Sequence, residues 1–196
     1  DGCMVFTREE SWKEAKVGRI FKSSSCIHAG DKPGWISNSQ YLAYLDTHKR
    51  FTTEMEKLLD HYSQSGQPIV FISDGAPWIK NWIADAYPQV ISVLDFYHAS
   101  EHLHDYAKAE IKDEIRRKEW VDEHVELLLN GEVQKIIDEL SSLSVISEQA
   151  RQLMDYYESN KTRMDYPLYK KLGAGIIGSG AIESAHRTVI KKRLKQ

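Results

Sequence analysis

The stretch P-I-V-F-I-S-D-G-A-P-W-I, residues 68–79, constrains the fold of this chain more than any other part of the sequence. Its apolar first half lacks polar alternation, which predicts a strand buried on both faces. The Asp74-Gly75 pair then predicts a sharp turn, and Pro77 suits the first turn of a helix because that position needs no backbone N–H. Asp74 would therefore lie at the carboxyl end of a strand, where open α/β sheets bind ligands. An Asp-Gly pair is also an ordinary turn, and this simpler interpretation stays open.

Hydrophobic spacing predicts the elements around this stretch. The opening third is expected to be a strand meander followed by a helix with one apolar face. A short helix and another buried strand are expected after Asp74, and so short a connection implies two parallel strands joined by a right-handed crossover. The predicted elements are strands at 1–7, 12–22 and near 26–28, a helix from about 39 to 62, a helix from 78 that ends before Pro88, and a strand at 90–96.

From 97 to about 172 the sequence shows helical spacing and no strand pattern. Asn130-Gly131 is a turn pair that separates two of the predicted helices. We therefore predict a helical bundle inserted into an α/β core. The core would comprise residues 1–96 and 174–196, and the helical insertion 97–173. The predicted apolar faces are Trp120, Val121, Val125 and Leu128; Val133, Ile136, Ile137, Leu140 and Leu143; and Ala150, Leu153, Met154 and Tyr157.

Composition limits the class of protein without identifying it. The chain has 196 residues, 41% of them hydrophobic, which is enough for a sizeable core. No apolar run approaches the roughly 20 residues that span a bilayer, and Cys3 and Cys26 are too few for a disulfide framework. We expect a soluble, cytoplasmic protein with reduced thiols. The formal net charge of −3 argues against general nucleic-acid affinity, so any such contact would come from local patches.

Three acids stand out because of where they lie. Asp1 is on the first predicted strand, Asp74 ends the central strand, and Glu183 follows a glycine-rich run into the last predicted helix. If the fold brings them together, their mutual repulsion would require cations, and hard carboxylate ligands suit Mg²⁺ or Mn²⁺. Glu183 has a simpler interpretation as a helix N-terminal acid that pairs with Arg187, one turn further on.

The order of these features resembles the DDE transposases of bacterial insertion sequences. More narrowly, it resembles the RNase H-like branch that carries a helical insertion between its second and third acids, as Mutator-like enzymes do. The resemblance is spread over the whole chain. Its segments are Asp1-Gly2, Ser73-Asp74-Gly75-Ala76-Pro77-Trp78-Ile79, Asp95-Phe96-Tyr97-His98, and Gly178-Ser179-Gly180-Ala181-Ile182-Glu183-Ser184.

The resemblance implies an RNase H-like α/β core interrupted by an all-helical insertion. It implies that Asp1, Asp74 and Glu183 are the catalytic, metal-binding acids, with Mg²⁺ or Mn²⁺ as the cofactor. Asp95 and His98 would form the accessory Asp-x-x-His motif that such enzymes have after the second acid. The implied reaction is DNA strand cleavage followed by strand transfer in transposition.

The resemblance also implies partners and surroundings. DNA, as transposon ends and target, would be the substrate, and a homo-oligomer would assemble on it in the bacterial cytoplasm, near the nucleoid. The DNA-binding domains of such enzymes normally lie outside this core, so we expect a fragment of a longer protein, truncated at both ends. No membrane association is expected.

Two clusters of basic residues are candidate phosphate contacts. One cluster is purely basic and adjoins the predicted site. It contains Lys191, Lys192, Arg193 and Lys195, and Arg187 lies just before it. Arg116, Arg117 and Lys118 lie among acids, which favours a solvated helix face. Trp35, Trp78 and Trp82 are candidates for stacking on bases, although core packing is the simpler interpretation for the last two.

Two alternative functions remain open from the sequence. His98-Ala99-Ser100-Glu101-His102 fits H-x-x-E-H, the inverted zinc-peptidase motif, with Glu101 as a general base. That interpretation needs a further zinc ligand downstream and leaves Asp74 and Glu183 without a role, and surface positions are the simpler interpretation of His102 and His104. The second alternative is a non-catalytic DNA-binding or assembly module derived from a transposase.

Overall fold

The fold is described from a computed structural model, which describes residues 2–8, 11–29, 32–63, 66, 68–172 and 176–178. The strands are β1 (Gly2–Thr7), β2 (Ser11–Ile20), β3 (Cys26–Ala29), β4 (Lys32–Ile36), β5 (Gln40–Tyr44), β6 (Val70–Ser73) and β7 (Ile91–Leu94). The α-helices are α1 (His48–Ser63), α2 (Pro77–Ala86), α3 (Phe96–Glu110), α4 (Glu114–Leu129), α5 (Val133–Ser141), α6 (Glu148–Asn160) and α7 (Tyr166–Lys171). Short 3-10 helices lie at Ser23–Ser25 and Lys161–Arg163.

The predicted α/β class is confirmed, with the strands arranged in small sheets. The described chain divides into two compact units, one of residues 2–70 and 80–91 and the other of 71–79 and 92–178. These units do not test the predicted division into a core and a helical insertion, which stays a prediction. None of the helices in the described residues combines the length and the apolar character needed to cross a membrane.

The first unit contains the predicted strand meander. β1, β2 and β5 form an antiparallel sheet in the order β1-β2-β5, and β3 pairs with β4 in a separate hairpin. Helix α1 packs against β2 at Gly18, where an added Cβ would lie 1.9 Å from the terminal methyl carbon of Met55. The buried face of α1 consists of Phe51, Met55 and Leu59, as their spacing predicts.

The second unit is mostly helical, and its predicted apolar faces are confirmed except at Leu143. That residue lies beyond the end of α5 and is 41% exposed. Helix α3 packs against α4 and α6, and α5 packs against both α4 and α6. Burial of each large apolar side chain stabilises this unit by about 1.5–3 kcal/mol. Gly131 lies between α4 and α5 with φ of 73°, so the predicted Asn-Gly turn is confirmed. The buried residues of these faces are Val121, Leu128, Val133, Ile136, Leu140, Ala150, Leu153 and Tyr157.

The predicted pair of parallel strands is confirmed by its hydrogen bonds. The N–H of Ile91 donates to the carbonyl oxygen of Ile69 at 3.1 Å, and the N–H of Asp95 donates to that of Ser73 at 2.8 Å. Partner positions increase together along both segments, which is the pattern of a parallel pair. Helix α2 connects the two strands and begins at Pro77, as predicted.

Two predictions about individual elements are wrong. The helix expected from about residue 39 begins only at His48, because 40–44 form β5 and pair with β2 in the register Val17↔Ala43. Tertiary hydrogen bonding here outweighs a local helical pattern. The strand β6 is not buried on both faces: Val70 is 42% exposed. In the described chain β6 has one strand neighbour, β7, so its apolar run is only partly covered.

Candidate functional site

Asp74 directly follows β6 and is held by the turn that begins α2. Its Oδ1 accepts a hydrogen bond from the backbone N–H of Ala76 at 2.9 Å, a local turn that Asp favours. The side chain is only half-buried. Among the described residues, Oδ2 has no hydrogen-bond donor, so this oxygen remains available to a ligand.

Asp95 directly follows β7 and is fully buried, with 0% of its surface exposed. Its Oδ1 accepts hydrogen bonds from the backbone N–H of Tyr97 at 2.7 Å and of His98 at 3.4 Å. Asp95 is therefore the N-cap of α3, where the unpaired amides and the helix dipole both favour a carboxylate.

The two aspartates lie at the same edge of the strand pair. The hydrogen bond from Asp95 N–H to the carbonyl of Ser73 sets the register, so that both aspartates follow the ends of paired strands. Such a carboxyl edge is the position at which parallel α/β sheets bind ligands. Sequence reasoning predicted the position of Asp74 at a strand end, but it placed Asp95 inside a strand at 90–96, whereas β7 ends at Leu94 and Asp95 caps α3. The second unit contains both aspartates.

Arg163 is a buried cation at this edge, with 4% of its surface exposed. Its Nη2 donates to Ser73 Oγ at 2.7 Å and to the Val93 carbonyl at 3.3 Å, while Nη1 donates to Asn160 Oδ1 at 3.2 Å. The guanidinium thus joins the ends of β6 and β7. Burial lowers the pKa of Arg163, and the nearby Tyr156 and Asp74 oppose that shift.

Two tyrosines lie beside the aspartates. The ring of Tyr156 lies over Gly75, where an added Cβ would be 2.4 Å from Cε2. Burial, followed by the charge of Asp74, raises the pKa of Tyr156 to about 12. Tyr166 is fully buried, and its hydroxyl has no hydrogen-bond partner among the described residues. Burial also raises the pKa of Tyr166, and Asp95 contributes to that shift.

The H-x-x-E-H residues lie on the first two turns of α3 and have separate contacts. His98 Nδ1 lies 3.5 Å from Glu101 Oε2. The ring of His102 lies against that of Tyr156, with a centroid separation of 3.8 Å and an angle of 31° between the ring planes. Although His102 is partly exposed, burial lowers its pKa, and Asp105 and Glu101 oppose the shift. Within the described part of the chain, no three His, Cys, Asp or Glu side chains are grouped to hold a metal ion, so the zinc alternative gains no support there.

The glycine-rich segment touches the same edge. The N–H of Phe96 donates to the carbonyl of Ile177 at 3.0 Å. At Gly178 an added Cβ would lie 2.5 Å from the Tyr97 ring and 3.3 Å from Asp95 Oδ1. Any larger residue at 178 would displace the exposed Tyr97 ring and crowd the Asp95 carboxylate, which glycine avoids.

Several predicted site residues lie outside the described part of the chain. They are Asp1 and Glu183 among the acids, and Arg187, Lys191, Lys192, Arg193 and Lys195 among the basic residues. Of the predicted site acids that the structure describes, Asp95 is engaged as a helix cap. Asp74 is therefore the one whose carboxylate could bind a hard divalent cation such as Mg²⁺, which prefers oxygen ligands.

The surface predictions have mixed outcomes. Arg117 lies 3.7 Å from Glu114, and Lys118 lies 3.3 Å from Asp122, which confirms the solvated, ion-paired face of α4. Trp35 is 52% exposed, so its proposed stacking on bases stays a prediction.

Sequence reasoning missed the four residues that surround the aspartates: Ser73, Tyr156, Arg163 and Tyr166. The chain has 26 lysine and arginine residues, and nothing in a single sequence distinguishes Arg163 from the others. Its role depends on a contact with Ser73, 90 positions away. Ser73 carried the one usable signal, because it is a polar residue at the end of an apolar strand.

Comparison of the chain with models of protein families, with curated proteins and with solved structures gives no significant match.

Proposed function

We propose that this chain is the catalytic core of a DDE transposase, which cleaves and transfers DNA strands in the transposition of a bacterial insertion sequence. The observation that carries the proposal is the pair of aspartates, Asp74 and Asp95, at the carboxyl edge of two parallel strands. A further proposal is that the α/β core is RNase H-like and that the helices from 97 to 173 are inserted into it.

The contact at Gly178 supports the position of the third acid. Glu183 follows Gly178 by five residues (183 − 178), and an extended chain of that length spans at most about 17 Å. The segment 176–178 already touches Asp95 and the start of α3. A chain of that length is long enough for the proposed third acid to join this site.

The proposed roles follow from how each side chain is engaged. Asp74, together with Asp1 and Glu183, would hold Mg²⁺ or Mn²⁺, and two such ions can activate a water molecule and stabilise the leaving oxygen of a phosphodiester. Asp95 keeps its carboxylate on the backbone amides of Tyr97 and His98 and so fixes the first turn of α3, which carries His98. His98 would then position the DNA strand rather than hold metal.

The remaining elements of the proposal concern DNA. Arg187 and the basic cluster from Lys191 to Lys195 would contact phosphates, and the protein would act as a homo-oligomer on transposon ends and target DNA. These contacts would be salt-dependent, since each neutralised phosphate releases counterions.

The test compares wild type with Asp74→Asn and Asp155→Asn. Asn at 74 preserves the shape and the Ala76 hydrogen bond but removes the charge that would bind metal. Asp155 is an exposed residue of α6 and serves as the matched control. Nicking of supercoiled plasmid in Mn²⁺ should fall by at least about two orders of magnitude in Asp74→Asn and stay unchanged in Asp155→Asn.

Direct metal measurements complete the test. Titration with Mn²⁺ should show weak binding that Asp74→Asn lowers and Asp155→Asn leaves intact. Equal nicking by wild type and Asp74→Asn would refute the proposal. One tightly bound zinc that is lost in His98→Ala or His102→Ala would instead favour the peptidase alternative.

A further inference from the structure

Burial of the Arg163 guanidinium has a large desolvation cost. A guanidinium with 4% of its surface exposed has lost most of its hydration, and among the described residues it forms no ion pair. Its Nε also has no hydrogen-bond partner there. Arginine stays protonated in proteins, so the full positive charge must be stabilised by its surroundings.

Those surroundings are the ends of β6 and β7. The Nη2 bonds to Ser73 and to the Val93 carbonyl fix the position of the strand ends that precede Asp74 and Asp95. Asn160, which accepts from Nη1, itself donates to the carbonyl of Tyr156 at 2.9 Å. A single guanidinium therefore connects the strand ends to α6.

The charge of Arg163 faces acidic groups. Asp74 is the carboxylate that opposes the lowering of the Arg163 pKa by burial. Asp95 and Arg163 both act on the neighbouring Tyr166. The 2.7 Å bond from Nη2 to Ser73 Oγ holds the guanidinium beside the residue that directly precedes Asp74, so a positive and a negative charge lie close together and attract each other.

We infer that Arg163 is the positioning residue of this edge: its fork holds the strand ends at a fixed spacing, and its charge balances Asp74. The inference rests on the proposed function only in treating Asp74 as a catalytic acid. An apolar side chain of similar size could fill the same volume, but it could neither bond both strands nor balance the carboxylate. Lysine retains the charge but lacks the planar fork.

A double-mutant cycle tests the electrostatic part. Melting temperatures of the metal-free chain are measured for wild type, Arg163→Met, Asp74→Asn and the double variant. Arg163→Met should lower the melting temperature by about 5–10 °C, because several buried acceptors lose their donor. In the Asp74→Asn background the same change should cost at least about 3 °C less, because the carboxylate no longer needs a cation.

Asp155→Asn provides the matched cycle. Its side chain is exposed on α6, and the Arg163→Met loss should be the same with and without it. If the losses of Arg163→Met and Asp74→Asn are also additive, Arg163 has only a packing role and the inference is wrong. Should Arg163→Met not fold, the cycle is run with Arg163→Gln, which also removes the charge but keeps hydrogen-bonding groups: a smaller loss in the Asp74→Asn background would support the inference, and additive losses would overturn it.

Ser73→Ala and the kinetics test the positioning part. Ser73→Ala removes the 2.7 Å bond and leaves the charge in place. It should lower kcat for plasmid nicking by about 10–100-fold with KM for DNA unchanged, because the strand ends lose their anchor. An unchanged kcat would overturn the positioning role. If the wild type does not cut DNA at all but the Asp74 cycle shows coupling, the proposed function fails while the charge balance at this edge stands.

Discussion

Gly75→Ala is the most informative single substitution at this edge, because two effects on stability compete there. Gly75 has no positive φ, so alanine can adopt its backbone conformation. Replacing glycine by alanine at such a position stabilises a protein by about 0.4–1 kcal/mol through the unfolded chain. The new Cβ, however, would lie 2.4 Å from Cε2 of Tyr156 and 2.8 Å from its hydroxyl oxygen.

The steric effect should win in the wild-type background. Carbon atoms pack at about 3.5–4.0 Å, so the Tyr156 ring must move by about 1 Å or more. That ring lies against His102 and is half-buried, so it cannot swing freely into solvent. Overpacking costs about 1–3 kcal/mol, and after the entropic gain the net loss is about 1.5 kcal/mol, or about 3–6 °C in melting temperature.

The control is the same substitution in a Tyr156→Ala background. Without the ring nothing opposes the new methyl group, and Gly75→Ala should raise the melting temperature by about 1–4 °C. Circular dichroism or calorimetric melts of the four proteins measure both changes. If alanine at 75 destabilises both backgrounds equally, the Tyr156 ring does not occupy this space and the reasoning fails.

Three further predictions concern other contacts. Tyr157→Phe should cost about 1–2 kcal/mol in denaturant unfolding, because the buried hydroxyl donates to the Ala99 carbonyl at 2.8 Å, and an unchanged midpoint would contradict this. Gly131→Ala should cost about 1–2 kcal/mol, since alanine is strained at a φ of 73°, and a stabilised variant would show that the turn differs. Tyr156→Ala should raise the pKa of His102 toward 6.5, because burial is what lowers it, and histidine NMR titration measures this pKa. The wild type loses stability as the pH falls below about 6.5, and this loss should be smaller in the variant.

The parts of the fold that could be predicted are those set by neighbouring residues. The turn at Asp74, the helix start at Pro77 and the helix stop near Gly131 all follow from backbone chemistry within a few positions. The apolar faces of the helices follow from spacing in the same way. The parallel strand pair followed from the short connection between the strands.

The parts that could not be predicted depend on partners far along the chain. Strand β5 exists because β2 is beside it, and the partial exposure of β6 depends on how much of the strand its neighbours cover. The sequence analysis makes no prediction for His124, yet it is buried with its ring stacked on Trp120 and Nε2 3.0 Å from Glu139 Oε2. Such burial is decided by the packing of α5, which the local sequence does not encode.

The same limit explains why the different environments of the two aspartates could not be predicted. The resemblance assigns them different roles, but the local sequence around each is similar, an aspartate at the end of an apolar run. Asp95 is wholly enclosed and engaged with the amides of α3, so ligand binding through that carboxylate would sacrifice the cap of a helix. Asp74 is half-buried and uses one oxygen for its turn, and among the described residues its other oxygen has no hydrogen-bond donor. The helical region creates this difference, because it supplies Arg163, Tyr156 and the helix α3 that Asp95 caps. The chemistry of the strand edge therefore depends on the helices as much as on the strands.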